Sequence, residues 1–228
     1  MNNFREFIDV SVEVPVRGFL HRPTIAGADG LVLTHGAGAN CDSPLLVVLA
    51  DAFCASGLTV LRCDLPFRQS RPHGPPPRGS AERDQQGLRS ALESMRHHVS
   101  GRVFLGGHSY GGRQASMIAA AEPGLVERLL LLSYPLHPPQ RPDELRTGHF
   151  PFLQTPALFV HGARDGFGSI AEMEAALKLI PARTKLLSII GAGHELMTKR
   201  NRDQVSPLVL EAFRLFANDR AAQAGNTG

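Results

Sequence analysis

Gly106-Gly-His-Ser-Tyr-Gly-Gly112 is the stretch on which the reading of this chain turns. An apolar run, Arg102-Val-Phe-Leu105, leads into it, and a small-residue helical pattern, Gln114-Ala-Ser-Met-Ile-Ala-Ala-Ala121, leads out. That order predicts a strand, a sharp turn and a helix, with Ser109 at the apex. The core, Gly107-x-Ser109-x-Gly111, fits a nucleophile elbow. So tight a turn strains the serine backbone, and neighbours without Cβ atoms let strand and helix approach closely. Ser109 Oγ is thereby held up and exposed. The N–H of Tyr110 is aimed outward at the start of a helix, where the dipole favours developing negative charge. A phosphate loop would need Lys and then Ser or Thr after its last glycine. Here Gly112 is followed by Arg113-Gln114, so that reading fails.

Working outward, Ile8 to Val14 alternates in part and Val16 to His21 follows Pro15, which predicts an antiparallel pair at a sheet edge. Leu31 to Thr34 is a short apolar run suited to a central parallel strand. It ends in a polar glycine loop, His35-Gly-Ala-Gly-Ala-Asn40. Ser43 and Pro44 read as the N-cap and first residue of a buried helix, which Gly57 ends. Thr59 to Cys63 is the next strand. Residues 68–79, rich in Arg and Pro, read as a surface loop. Leu88, Ala91, Leu92, Met95 and Val99 mark one face of a helix before the elbow.

Beyond the elbow, Leu129 to Ser133 and Ala157 to Val160 predict two more strands. The stretch between them, Tyr134 to Pro156, carries six prolines and no period, and is too short for a cap domain. Ser169 and Glu172 form a capping box ahead of the stripe Ile170, Met173, Leu177 and Ile180. Lys185 to Ile190 is the last strand. Val205, Leu208, Val209, Ala212, Phe213 and Phe216 give the final helix a 3.6-residue period. Strands alternating with helices imply a mostly parallel, doubly wound sheet covered on both faces. The expected organisation is a single domain over residues 1–219 and a small, polar, disordered tail over 220–228.

Composition narrows the partners. Hydrophobic content of 43% and charged content of 20% fit a globular protein with a sizeable core. A net charge of +3, with no run of Lys or Arg, gives no reason to expect nucleic acid binding. No stretch approaches the roughly 18 apolar residues of a membrane span, and the N-terminus lacks the form of a signal peptide. Cys41, Cys54 and Cys63 are odd in number and have no metal spacing, so reduced thiols in a cytoplasmic protein are expected. The histidines at 73, 97, 98, 137 and 149 have no metal-ligand spacing either, and no metal or other cofactor is expected.

Ligands of parallel sheets sit beyond the carboxyl ends of the strands. Four strands here end in polar glycine turns, at His35, Ser109, Asp165 and His194. A serine hydroxyl needs a base to take its proton, and the base needs a carboxylate to orient it. After an elbow serine the required chain order is Ser, then Asp or Glu, then His. Ser109, Asp165 and His194 meet it. His161, His35 and His108 read as residues that buttress these turns. Asp165 as a mere turn former and His194 as a surface histidine are the plainer alternatives. Asp143 and Glu144 are rival acids to which no strand leads. An oxyanion hole would take the N–H of Tyr110 and that of Ala37, with Gly38 the alternative for the second. Arg68 and Arg113 are candidates to meet an anionic substrate, against the plainer reading of solvated surface arginines.

The expected activity is hydrolysis of a small ester, thioester or related acyl compound through an acyl-enzyme. Two other classes compete. One is a catalytically silent scaffold that binds a protein partner, with the Arg- and Pro-rich loop at 68–79 as its motive. The other is dinucleotide binding, since Gly36-x-Gly38 follows a strand and Asp64 ends the next one. Cys41 occupies the third glycine position of that fingerprint, which breaks it.

The segments His35-Gly-Ala-Gly-Ala, Asp64-Leu-Pro-Phe67, Gly106 to Gln114, Leu132-Ser-Tyr-Pro-Leu-His-Pro138, His161 to Gly168 and Gly191-Ala-Gly-His194 together resemble the α/β-hydrolase family over nearly the whole chain. They look most like its small, capless, dienelactone-hydrolase-like members. The likeness is greatest to a branch that includes a vertebrate testis-expressed protein and a subunit of a histone acetyltransferase complex. The resemblance implies an eight-stranded, mostly parallel sheet without a large cap, a Ser109–Asp165–His194 triad and hydrolysis of an ester-like bond. Dienelactone hydrolase itself uses a cysteine nucleophile where this chain has Ser109, so its lactone specificity is not implied.

Overall fold

The computed structural model describes residues 4–25 and 27–219. The expected tail at 220–228 lies outside them. The chain opens with an antiparallel pair, β1 (Phe4–Asp9) and β2 (Val16–His21), running from Phe4 opposite His21 to Asp9 opposite Val16. This pair starts earlier than expected. Asp9 ends β1 by accepting hydrogen bonds from the N–H and Oγ–H of Ser11 at 2.9 and 2.6 Å. The alternation seen around Val12 and Val14 belongs to the connecting turn, where both valines point into the core.

Next come β3 (Gly30–Thr34), α1 (Pro44–Ala55), β4 (Thr59–Cys63), α2 (Pro66–Ser70) and α3 (Ala81–Arg96). Pro44 opens α1, but Ser43 makes no side-chain capping bond. The short helix α2 occupies the start of the stretch read as a surface loop, because Pro66 fixes a helical first residue directly after the strand end. Val99 lies past the end of α3 and still packs on the core. The elbow joins β5 (Val103–His108) to α4 (Tyr110–Ala121). After β6 (Leu129–Leu132), residues 134–156 run irregularly, with one 3-10 turn at Phe150–Phe152. Then follow β7 (Ala157–Gly162), α5 (Ile170–Leu177), β8 (Thr184–Ile189) and α6 (Arg202–Asn218). The capping box at the start of α5 is formed, with Ser169 and Glu172 bonded reciprocally.

The eight strands form one sheet in the order β1-β2-β4-β3-β5-β6-β7-β8. β2 meets β4 antiparallel, and every pair from β4 to β8 is parallel. Successive strand residues face opposite ways, and the two cores follow from this. Val32, Leu61, Leu105, Leu131 and Phe159 pack with α3, α4 and α5 on one face. Leu31, Leu33, Val60, Phe104, Leu130 and Leu158 pack with α1 and α6 on the other. Phe213 of α6 sits edge-on to both Phe53 of α1 and Phe104 of β5, at 5.5 and 5.2 Å. Strands covered on both faces must be apolar throughout, which is why β3, β6 and most of β7 are unbroken apolar runs.

The topology carries the ends of β3, β5, β7 and β8 to one edge of the sheet. Among the described residues no helix is long and apolar enough to cross a membrane, and the three cysteines are free and buried.

Candidate active site

Ser109 is held at φ 50°, ψ −114°, a conformation rare for a residue with a side chain. Its backbone is fixed from both sides: its N–H donates to Leu132 O at 2.8 Å, and Arg113 N–H donates to its carbonyl at 2.9 Å. The elbow glycines allow this close approach. A Cβ on Gly107 would lie 2.5 Å from Gly112 N, and one on Gly111 would lie 2.5 Å from His35 O.

The turn after β8 brings His194 across to the serine. His194 Nε2 lies 2.8 Å from Ser109 Oγ. Its Nδ1 lies 2.8 and 3.0 Å from the two carboxylate oxygens of Asp165, in the turn after β7. A carboxylate facing Nδ1 places the neutral ring's proton there, so Nε2 presents its lone pair to the serine hydroxyl. Phe167 stacks on the His194 ring at 4.1 Å and fixes its plane. Asp165 is buried, which alone raises a carboxyl pKa. Hydrogen bonds from His194 and the Phe167 N–H, with the nearby His194 and His161 rings, outweigh this and hold it below the usual carboxylate range.

Three histidines buttress the turns. His161 donates from Nε2 to Gly168 O at 2.8 Å, closing the loop that carries Asp165. His108 donates from Nε2 to the carbonyl of His194 at 2.9 Å. His35 donates from Nδ1 to Gly36 O at 2.8 Å and accepts from Leu65 N–H at 3.1 Å. Burial pushes all three pKa values down, so each serves as a neutral hydrogen-bonding strut.

The loop after β3 lies directly over the serine. A Cβ on Gly36 would be 3.4 Å from Ser109 Cβ, and the next amide is that of Ala37. Among the described residues, the N–H groups of Ala37 and Tyr110 donate to nothing. Gly38, the alternative donor, stands exposed with open space around it.

Arg68, weighed as a substrate contact against a solvated surface arginine, is neither exposed nor free. It is buried, and its guanidinium donates to Ala39 O, Ala37 O, Arg71 O and Gly74 O at 2.7, 2.8, 2.9 and 3.0 Å. Its role is to tie the Ala37 loop to the chain following α2. The other arginine, Arg113, stands on the first turn of α4, its backbone N–H bonded to the Ser109 carbonyl. Sequence reasoning missed Asp84 altogether. It is buried, accepts from Tyr110 OH at 2.8 Å and Phe67 N–H at 3.0 Å, and so steadies the residue after the nucleophile. Its signal was present: position 84 lies one turn before Leu88, on the apolar face of α3. Asp64, the acid of the dinucleotide reading, instead accepts from Cys41 N–H at 2.7 Å. Among the described residues no cluster of His, Cys, Asp and Glu is placed to hold a metal ion.

Comparison with known proteins agrees with this architecture. The family described as alpha/beta hydrolase domain matches residues 27–214. A dienelactone hydrolase from Anabaena variabilis is 27% identical, with a TM-score of 0.73 over 94% of this chain and 99% of its own. Two further structures share the fold. An alpha-beta serine hydrolase homologue from Coxiella burnetii has a TM-score of 0.75 at 18% identity, covering 93% of this chain and 98% of its own. A lidless serine hydrolase from Xanthomonas campestris has a TM-score of 0.68 at 15% identity, covering 94% and 95%. The elbow at the end of β5, the eight-stranded sheet and the match over residues 27–214 lead to one assignment: the chain belongs to the alpha/beta hydrolase family.

Proposed function

We propose that this protein is a serine hydrolase that cleaves a small ester, thioester or related acyl compound through an acyl-enzyme. The observation that carries the reading is the unbroken hydrogen-bonded line from Ser109 Oγ through His194 to Asp165. Ser109 Oγ attacks the acyl carbon while His194 Nε2 takes its proton. The tetrahedral oxyanion is received by the N–H groups of Ala37 and Tyr110, which have no other partner among the described residues. Loss of one such donor typically costs about 10²–10³ in rate. The imidazolium, stabilised by Asp165, then gives its proton to the departing alcohol or thiol as the carbon–oxygen or carbon–sulfur bond breaks. A water molecule, deprotonated by His194, attacks the Ser109 ester in turn. Collapse of the second tetrahedral intermediate releases the acid and restores the serine.

Within the family we place the chain among the lidless, dienelactone-hydrolase-like members, close to the branch that includes the testis-expressed protein, and acting as one domain in the cytoplasm. The three buried free thiols suit a reducing compartment. Turnover of a panel of short p-nitrophenyl esters and acyl thioesters tests the activity. Hydrolysis by wild type that vanishes in Ser109→Ala is the expected result. Equal rates in the two proteins would overturn the reading.

A further inference from the structure

Between the start of β2, α2 and the start of α3 lies a cavity of about 500 Å³, within the range of small-molecule sites. Ser109, Asp165 and His194 do not line it. Its apolar wall is made of Val14, Pro15, Pro66, Phe67 and Pro77. Prolines bring no N–H to that wall, so it offers a flat apolar surface to a ligand. Gln69 Nε2 donates to Pro15 O at 3.0 Å and to Asp64 O at 3.1 Å, which holds α2 against β2. The charged lining is Arg17, Arg78, Arg83 and Asp84. The three arginines are exposed, and among the described residues their side chains make no ion pair or hydrogen bond. Glu13 and Glu82, which adjoin the lining in sequence, are not paired with them.

Asp84 is differently placed. It is buried, and its carboxylate accepts from Tyr110 OH, Phe67 N–H and Ser80 Oγ at 2.8, 3.0 and 3.2 Å. Three guanidiniums thus face one carboxylate that is spent on uncharged donors, and the lining keeps an excess of two positive charges. A cleft with low-dielectric walls focuses such a charge on its interior. A phosphate monoester carries about two negative charges above its second pKa near 6, and its three oxygens suit guanidinium forks. A monoanion would leave half of that excess uncompensated. The apolar wall in turn suits a flat ring as the ester's organic group.

The same wall supports the oxyanion donors. Asp84 holds the hydroxyl of Tyr110, the residue after the nucleophile. The Phe67 ring meets those of Tyr110 and His35 edge-on at 5.8 and 5.6 Å. Phe67 also precedes Arg68, which is bonded to Ala37 O. We propose that this cavity is an effector site for an aromatic phosphate monoester, whose binding is transmitted through Asp84 to the Tyr110 N–H. The binding does not depend on the serine hydrolase reading; the effect on rate rests on it.

The test has a binding arm and a transmission arm. In the first, calorimetry at low salt compares phenyl phosphate with inorganic phosphate and with phenol. Phenyl phosphate is expected to bind at least about tenfold tighter than either, because only it meets both the arginines and the apolar wall. Arg17→Gln, Arg78→Gln and Arg83→Gln, all at exposed positions, should each weaken it by about three- to tenfold. Arg141→Gln, at an exposed arginine paired with Glu144, should leave it unchanged.

In the second arm, the chain's two tyrosines are labelled with nitrogen-15, which gives two backbone amide signals. Tyr134→Phe removes one and so identifies that of Tyr110. Saturating phenyl phosphate should move the Tyr110 signal in wild type and leave it in place in the variant lacking all three arginines. In wild type it should also change kcat for p-nitrophenyl acetate by at least about twofold. A Tyr110 shift with arginine-dependent binding, on a protein that turns over no ester, supports the site while the hydrolase reading fails. Phenyl phosphate that binds no tighter than phosphate or phenol, or whose binding survives the arginine changes, overturns the site. Binding that leaves the Tyr110 signal and kcat unmoved overturns the effector role. With ester hydrolysis intact, both of these last results leave the hydrolase reading standing.

Discussion

Replacing Arg68 with methionine should loosen the loop that holds Ala37 while leaving the Ser109–His194–Asp165 line untouched. Methionine keeps most of the apolar stem, so the change is mainly the loss of a guanidinium. Four carbonyls lose their donor, those of residues 37, 39, 71 and 74. A hydrogen bond from a charged donor contributes about 1.5–3 kcal/mol net. Arg71 and Gly74 lie at the surface and Ala37 and Ala39 are half-buried, so these carbonyls recover water and the full sum is not lost. A destabilisation of about 3 kcal/mol is expected, which moves a urea midpoint by about 1 M at the m-values of domains this size. The second effect is on rate. If the Ala37 N–H drifts from the oxyanion position, kcat for a neutral ester falls by about 10²–10³, with KM little changed. Arg68→Lys should not rescue either loss, because one ammonium cannot span four carbonyls. Urea unfolding and steady-state hydrolysis are measured on the same preparations. Wild-type stability together with wild-type kcat in Arg68→Met would refute the role given to this arginine.

Gly107→Ala puts a methyl 2.5 Å from Gly112 N and 2.6 Å from Gly111 C, both backbone atoms that cannot turn aside. It should cost more than about 3 kcal/mol and abolish turnover; an unchanged melting temperature would contradict this. Asp84→Ala removes the acceptor of the Tyr110 hydroxyl and the Phe67 N–H. A loss of about 2–4 kcal/mol in thermal unfolding is expected, with a smaller fall in kcat, and a neutral effect on both would sink the idea. Stability should also fall with pH through the histidines. Burial and the Arg62 charge hold His21 at about 4, and burial holds His149 at about 4, both below the 6.5 of the unfolded chain. Each group stays neutral when folded, so its contribution is complete above pH 6.5 and drains away as pH falls toward 4. The loss by pH 5 is at most about 2 kcal/mol per group. Urea midpoints from pH 7 to 4.5 measure it, and a flat profile would be inconsistent with buried neutral rings.

What could be read from the sequence follows a physical divide. The elbow was legible because steric rules act over a few residues: Gly107, Gly111 and Gly112 are small where strand and helix touch. The triad candidates were legible because parallel strands must deliver their ends to one edge, which turns chain order into spatial order. Arg68 was misread because its partners at 37 and 39 lie some thirty positions away, and an Arg- and Pro-rich stretch looks alike whether exposed or folded inward. Asp84 was missed because an acid on an apolar helix face was not set against a distant tyrosine. β1 was misplaced because Val12 and Val14 of a turn imitate a strand's alternation. The surroundings of Arg113 depend on the 134–150 backbone, which has no period to read. For Arg68 and Asp84 the deciding contact is long-range and made by a side chain.

The most direct test of the central claim is fluorophosphonate labelling read by intact mass on wild type, Ser109→Ala and His194→Ala. One adduct on wild type that is lost in both variants is the result required of a serine activated by His194. A well-folded wild type that takes no adduct, or a Ser109→Ala protein labelled as fully as wild type, would contradict it.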